Sequence, residues 1–112
     1  METRHIAALD LTAIYTSGAR TPVAIRVGAP EQVATGEWRC VIRLDGVHDG
    51  LMPAHGDDSM QALCLALGLA AALLRDFVAR GGRLLCQEES AGADDESDWP
   101  MEAYFGWLGP PR

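Results

Sequence analysis

Alternation of apolar and polar side chains with a period of two is clearest in residues 37–44. The apolar positions of this segment are Trp38, Cys40, Ile42 and Leu44. Such alternation is typical of a strand in a sheet with one packed face and one solvated face. We therefore expect this segment to be a strand whose tryptophan lies in the core.

Three further segments have the composition of strands. Residues 4–15 are rich in β-branched and aromatic side chains, residues 21–28 alternate, and residues 84–86 form a short apolar run. Short connections with turn residues favour an antiparallel meander. The pattern predicts a three- to four-stranded antiparallel sheet.

One long helix is predicted between the third and fourth strands. Asp58 has the position of its N-cap, and Gln61 completes a pair similar to a capping box. From Ala62 to Leu74 no residue has a polar side chain, and Gly81-Gly82 ends the helix. Together with the strands, this predicts an α+β fold in which the helix packs on one face of the sheet.

The predicted helix carries two apolar stripes when residues are placed about 100° apart. We expect the first to lie on the sheet; it consists of Met60, Leu63, Cys64, Leu67, Ala71, Leu74 and Val78. The second lies opposite and consists of Leu65, Leu69 and Leu73. A helix that is apolar nearly all round must be covered nearly all round. The second stripe therefore predicts a homodimer interface, or a surface covered by the tail of the chain.

The last part of the chain differs from the rest in charge and aromatic content. Residues 87–112 carry seven carboxylates against Arg112 alone, which accounts for −6 of the formal net charge of −7. They also hold four of the seven aromatic residues. We expect one domain over 1–112, with 87–98 as a mobile acidic loop. Residues 99–112 are expected to dock on the body or on a neighbouring subunit, with Trp99, Tyr104 and Trp107 as interface residues.

An alternative for the same aromatic segment is a ligand for another protein. Acidic residues followed by aromatic anchors are typical of interface hot spots. The two alternatives remain open at the level of sequence.

Charge and length exclude several classes of partner. A net charge of −7 argues against nucleic acid and against an anionic membrane surface. The apolar run of 13 residues, 62–74, is shorter than the roughly 20 residues that span a bilayer. Three cysteines without a C-x-x-C pair fit buried, reduced thiols in a cytoplasm.

One loop holds the residue types that metal or acid–base chemistry uses. Its members are His48, Asp49, His55, Asp57 and Asp58. Their spacing does not place two imidazoles on one helix face, and we expect a solvated loop, without metal or cofactor. A ligand pocket beside 45–56 would require His48 and His55 to converge over a concavity.

Nucleophilic catalysis has little support in the sequence. Ser59 lies at a helix start but not in a Gly-x-Ser-x-Gly turn. Cys64 lies in an apolar stripe, which raises the pKa of a thiol. No catalytic residue is therefore assigned.

The string Gly-Asp-Asp-Ser-Met-Gln-Ala-Leu at 56–63, with Trp38-x-Cys40 upstream, resembles a family of short uncharacterised bacterial proteins. These have a Trp-x-Cys strand before a Gly-x-Asp-Ser-x-Gln-Ala-Leu helix start. The resemblance covers residues 36–86, and the tail departs from it. It implies a small bacterial cytoplasmic α+β protein of unknown function, with no catalytic residues to carry over.

Two functions follow from these features. The first is a non-enzymatic interaction or accessory protein that acts as a homodimer or with a protein partner. The second is a small-ligand-binding domain or enzyme with a pocket beside residues 45–56.

Overall fold

The computed structural model describes residues 4–86 and 97–109. In chain order the strands are β1 His5–Ile14, β2 Arg20–Gly28, β3 Glu31–Gln32, β4 Trp38–Cys40, β5 Ile42–Asp45, β6 Ala54–Gly56 and β7 Arg83–Cys86. The helices are α1 Ser59–Ala79 and α2 Met101–Phe105, followed by a 3-10 turn at Gly106–Leu108. Most of the predicted acidic loop, 87–96, lies outside the described residues, as do the last three residues of the predicted aromatic segment.

Four strands form an antiparallel sheet in the order β5-β2-β1-β7. Its register places Leu11 opposite Val23 and Ala13 opposite Leu84, so the buried side chains of neighbouring strands share one face. The prediction of an α+β fold with an antiparallel sheet and one long helix on it is confirmed. The meander holds for β1, β2 and β5 only, since β7 follows α1 and pairs with β1 at the other edge.

A second sheet, β3-β4-β6, was not predicted. The predicted strand 37–44 is divided at Val41, whose carbonyl oxygen accepts the Gly28 N–H at 2.8 Å. Its first half joins the second sheet and its second half joins the first. The end of the predicted loop 45–56 forms β6, which pairs with β4 and places Gly56 opposite Trp38.

Gly56 brings β6 against the start of α1. A Cβ at this position would stand 2.6 Å from the backbone nitrogen of Ala62, so a larger residue would force the strand and the helix apart. Cys40, Ile42 and Leu44 are fully buried, and Trp38 is half-buried and packs on the same cluster.

Both ends of α1 are capped. The Gln61 N–H donates to the Asp58 carboxylate at 2.7 Å, and the Asp57 N–H donates to Gln61 Oε1 at 2.6 Å, which confirms the predicted N-cap. At the other end Gly81 has a φ of +102°. The Gly82 N–H then reaches the Phe77 carbonyl at 3.1 Å, which is a Schellman ending.

The predicted sheet-facing stripe of α1 is correct for Leu63, Leu67, Ala71 and Leu74, which are buried or pack against the core, and wrong for its other three members. The residues that the fold buries are Ala62, Ala66, Ala70, Ala71 and Leu74. Met60, Cys64 and Val78 are exposed instead. The prediction followed the large side chains, whereas alanines let the helix backbone approach the sheet closely.

Candidate functional site

The side of α1 that points away from the sheet is apolar and exposed. We call Cys64, Leu65, Gly68 and Ala72 the solvent face of α1. Leu65 is 50% exposed, and Cys64 and Ala72 are also exposed. Exposed Met60 and Val78 border this face. Contiguous exposed apolar surface of this kind marks contact sites.

Only part of the predicted leucine stripe belongs to the solvent face. Leu65 is exposed, whereas Leu69 and Leu73 are half-buried and pack against the hydrophobic core. The contribution of these three residues to a subunit contact stays a prediction. The sequence did not indicate Cys64 and Ala72 as surface residues, because an apolar run has no polar positions that mark its exposed side.

Gly68 lies in the middle of the solvent face. A Cβ at this position would meet nothing within 4 Å, and its φ is in the ordinary helical range. Glycine inside a helix costs about 1 kcal/mol relative to alanine. The described residues offer no packing that offsets this cost.

Charged residues flank α1 at its two ends. Asp57 and Asp58 are exposed at the N-terminal end. Arg80 is exposed at the C-terminal end and pairs with Asp76 at 2.9 Å. With a rise of about 1.5 Å per residue, Asp57 and Arg80 lie roughly 17 Å on either side of Gly68. Each charge also complements the partial charge of its own helix end.

The C-terminal segment returns to the free side of β7. The Cys86 N–H donates to the Ser97 carbonyl at 3.0 Å, and the Trp99 N–H donates to the Leu84 carbonyl at 2.8 Å. Arg83 pairs with Asp98 at 3.0 Å. Trp99 is 6% exposed and joins the hydrophobic core, although its buried indole N–H has no hydrogen-bond partner.

Arg75 of α1 fixes the end of this segment. Its guanidinium donates to both oxygens of Glu102, at 3.0 and 2.8 Å, and to the carbonyls of Phe105 and Gly109 at 3.1 and 2.9 Å. The Arg75 side chain is only 12% exposed. These hydrogen bonds lower the pKa of Glu102 and raise that of Arg75. The sequence shows no signal for this clamp, since the two residues are 27 positions apart.

Tyr104 and Trp107 differ from Trp99 in exposure. Both are exposed, and the Trp107 indole donates to the Tyr104 carbonyl at 2.8 Å. The Tyr104 ring lies 4.8 Å from that of Trp99. Their assignment as interface residues stays a prediction.

The two loop histidines belong to different surroundings. His55 Nδ1 pairs with Glu37 at 3.1 Å on the second sheet. His48 lines an open cleft with Arg43, Asp45 and Asp49, and His55 is not among its lining residues. Within residues 4–86 and 97–109, no group of three or more His, Cys, Asp or Glu side chains is placed to hold a metal ion.

The three cysteines are free thiols in three environments. Cys40 is buried, its thiol donates to the Gly28 carbonyl at 3.2 Å, and burial raises its pKa. Cys86 is half-buried. The prediction that Cys64 is buried is wrong, because this residue faces away from the sheet.

Helix α1 is longer than the apolar run from which it was predicted. Its 21 residues are long and apolar enough to cross a membrane, so the expectation that the segment is too short is wrong. Core helices of soluble proteins meet the same two criteria.

The described residues define a small α+β protein in which a single long helix packs on antiparallel sheet through its alanines. The chain belongs to the family of the domain of unknown function DUF6968, whose model matches residues 9–94. The match ends before the C-terminal segment that contains Trp99. No curated protein and no solved structure matches the chain.

Proposed function

We propose that this protein is a non-enzymatic interaction protein that acts as a homodimer, with the solvent face of α1 as the contact surface. The observation that carries the proposal is the exposure of apolar residues along this face of a helix whose opposite side packs on the sheet through buried alanines and Leu74. Because Leu65 is half-exposed, roughly 1 kcal/mol of the free energy that full burial of a leucine would contribute is not gained. A second subunit would recover it together with the contribution of the residues beside it.

A second copy is favoured over other partners by symmetry and charge. Closed twofold pairs are the commonest soluble oligomers. The formal charge of −7 disfavours nucleic acid and anionic membranes. Three free cysteines are consistent with a reducing compartment such as a bacterial cytoplasm. The alternative of a ligand pocket beside residues 45–56 has lost its main support, since the two histidines do not line one cleft.

The test compares two matched substitutions by size-exclusion chromatography with light scattering. Leu65→Glu places a charge on the solvent face of α1, and Ile6→Glu places one on β1, where the side chain is similarly exposed (53% against 50%). We expect wild type and Ile6→Glu to have twice the monomer mass of 12.0 kDa, and Leu65→Glu to be monomeric. A monomeric wild type, or equal masses for the two variants, would contradict the proposal.

A further inference from the structure

We infer that the outer edge of β7 and Arg75 of α1 form a docking groove for an extended segment of a partner protein. The chain's own C-terminal segment, residues 97–109, occupies this groove as a displaceable ligand. The partner segment that fits the groove carries an aromatic residue, a carboxylate three positions later and a second aromatic residue after three more. The inference goes beyond the proposed homodimer, since none of the residues that define the solvent face of α1 belongs to the groove.

The C-terminal segment lies on β7 as an added strand. The Cys86 N–H donates to the Ser97 carbonyl at 3.0 Å. The Leu84 carbonyl accepts from the Trp99 N–H at 2.8 Å. Addition of a strand supplies affinity through main-chain hydrogen bonds, and pockets for side chains supply specificity. The family model ends at residue 94, so the edge of β7 lies within the family domain and the strand that covers it lies outside.

Three side chains of the segment give the groove its specificity, and they are spaced three positions apart. Trp99 and Phe105 are the buried residues of 97–109, and both belong to the hydrophobic core. Glu102 lies between them and accepts hydrogen bonds from Arg75 through both carboxylate oxygens. Two buried aromatic anchors among more exposed residues are typical of the hot spots of a bound peptide.

Arg75 requires an occupant that carries a carboxylate. Its side chain is only 12% exposed, and four hydrogen bonds from its guanidinium reach the segment. Removing one partner from a largely buried ion pair leaves an uncompensated charge, which is strongly destabilising. A partner segment without a carboxylate at this position would leave the guanidinium in that state.

The chain's own segment fits the groove imperfectly. The buried indole N–H of Trp99 has no acceptor among the described residues, and an unpaired buried donor lowers stability. A cleft of about 280 Å³ also remains beside Trp99, lined by Val78, Leu84 and Met101 among others. A partner segment whose anchor has no unpaired donor, or which fills the cleft, would therefore bind more tightly than the segment that it displaces.

A second copy of the chain is a weaker candidate for the occupant. Two copies that exchanged their segments would gain no contact, because each groove would receive a segment identical to the one that it lost. A segment on the same chain also has an effective concentration on the order of a millimolar. A partner protein with a better anchor can exceed this competition, whereas an identical segment cannot.

The first test vacates the groove in the full chain and offers the segment as a separate peptide. Trp99→Ala combined with Glu102→Ala removes one anchor and the carboxylate, and circular dichroism checks that this variant folds. A fluorescent peptide of residues 97–109 is titrated in anisotropy measurements. We expect the variant to bind it about tenfold or more tightly than the wild type, whose own segment competes.

Equal affinities of the two proteins, or no binding to a folded variant, would overturn the inference. Where the double variant does not fold, Glu102→Ala alone is the receptor, and the same outcomes apply.

The second test asks whether Arg75 recognises the carboxylate. A peptide with Glu102→Gln keeps the shape of the native peptide, and we expect the vacated variant to bind it about tenfold more weakly. Adding Arg75→Gln to the receptor should abolish the difference between the two peptides. A difference that persists without Arg75 would show that the carboxylate is recognised elsewhere, and would overturn the assignment of the groove.

The third test concerns the imperfect fit. A peptide in which benzothienylalanine replaces Trp99 has the same shape, with sulfur in place of the indole N–H. We expect the vacated variant to bind it about fivefold more tightly than the native peptide. Weaker binding would show that the indole N–H finds an acceptor in the groove, and would overturn displacement by a better anchor.

The last test distinguishes a partner protein from a second copy. Leu65→Glu is added to the native chain and to the vacated variant, so that the proposed homodimer does not form, and the two proteins are mixed. We expect light scattering to show monomers of both. A heterodimer would show that a second copy supplies the segment, and would overturn the inference of a partner protein.

Discussion

Both sides of α1 carry apolar residues, yet the sheet side is buried at its centre and the solvent face is largely exposed. The sheet side is built from alanines and Leu74, and the solvent face carries Leu65 beside Cys64, Gly68 and Ala72. The difference shows that the positions of the large side chains do not by themselves identify the buried side of an apolar helix. Alanines at the centre of the contact let the helix lie close to the sheet, and leucines such as Leu69 and Leu73 pack on the core while half-buried.

The two sides should differ most in the free energy of unfolding that is lost when one leucine on each side is replaced by alanine. Leu74 is fully buried, so Leu74→Ala should lower the free energy of unfolding by about 2–5 kcal/mol. Leu65→Ala, measured on dilute protein that is monomeric, should cost about 1 kcal/mol or less. Urea denaturation monitored by circular dichroism measures both. Equal losses would mean that the sides have been assigned incorrectly.

Enlarging one alanine on each side tests the close approach to the sheet. Ala66 is fully buried, and Ala66→Leu should cost about 1–3 kcal/mol because the added atoms must force the helix and sheet apart. Ala72→Leu should change the stability of the monomer by less than about 0.5 kcal/mol. If Ala66→Leu had the melting temperature of the wild type, the helix could not be packed on the sheet through small residues.

Substitutions at the N-cap test where α1 begins, and they touch neither the sheet side nor the solvent face. Asp58→Ala removes the acceptor for the Gln61 N–H and should cost about 0.5–2 kcal/mol. Asp57→Ala loses only the interaction with the helix dipole, about 0.3–1 kcal/mol. Chemical denaturation of both variants at a monomeric concentration gives the comparison. If Asp57→Ala lost more stability than Asp58→Ala, the helix would start one residue earlier.

The smallest expected effect concerns the border of the solvent face, where Arg75 holds the C-terminal segment. The hydrogen bonds from Arg75 lower the pKa of Glu102. The ionised carboxylate therefore stabilises the folded chain fully at pH values above the usual pKa of glutamate. This stabilisation is lost as the pH falls through the lowered pKa of the folded protein. We expect the segment to be held less tightly as the pH falls through the lowered pKa of Glu102, with a small change in the emission of Trp99. Glu102→Gln should remove the contribution of this group to the pH dependence. An unchanged pH profile in that variant would show that the ion pair does not hold the segment.

The fold could be predicted where local signals are strong. The alternation around Trp38, the Asp58 cap and the Gly81-Gly82 ending indicated the strands and the limits of the helix. The division of a strand at Val41 could not be predicted, because it depends on a hydrogen bond with distant Gly28. The same holds for the Arg75–Glu102 clamp, which forms only when the segment returns to β7.

The candidate surface was predicted only in outline. The uninterrupted apolar run indicated that α1 has more apolar surface than one sheet can cover, and Leu65 was correctly placed away from the sheet. Leu69 and Leu73 turned out half-buried, because the alanine side determines how the helix is rotated on the sheet. Periodicity weighted by hydrophobicity does not register that preference for small residues.

The most direct measurement uses the native thiol that lies on the solvent face. Cys64 is exposed in the single chain, whereas Cys40 is buried. A maleimide labelling rate, resolved by residue with mass spectrometry, can be followed from nanomolar to high micromolar protein. We predict that the Cys64 rate falls as the dimer forms, and that it stays constant in Leu65→Glu. A Cys64 rate that is independent of wild-type concentration over this range would contradict a homodimer built on the solvent face of α1.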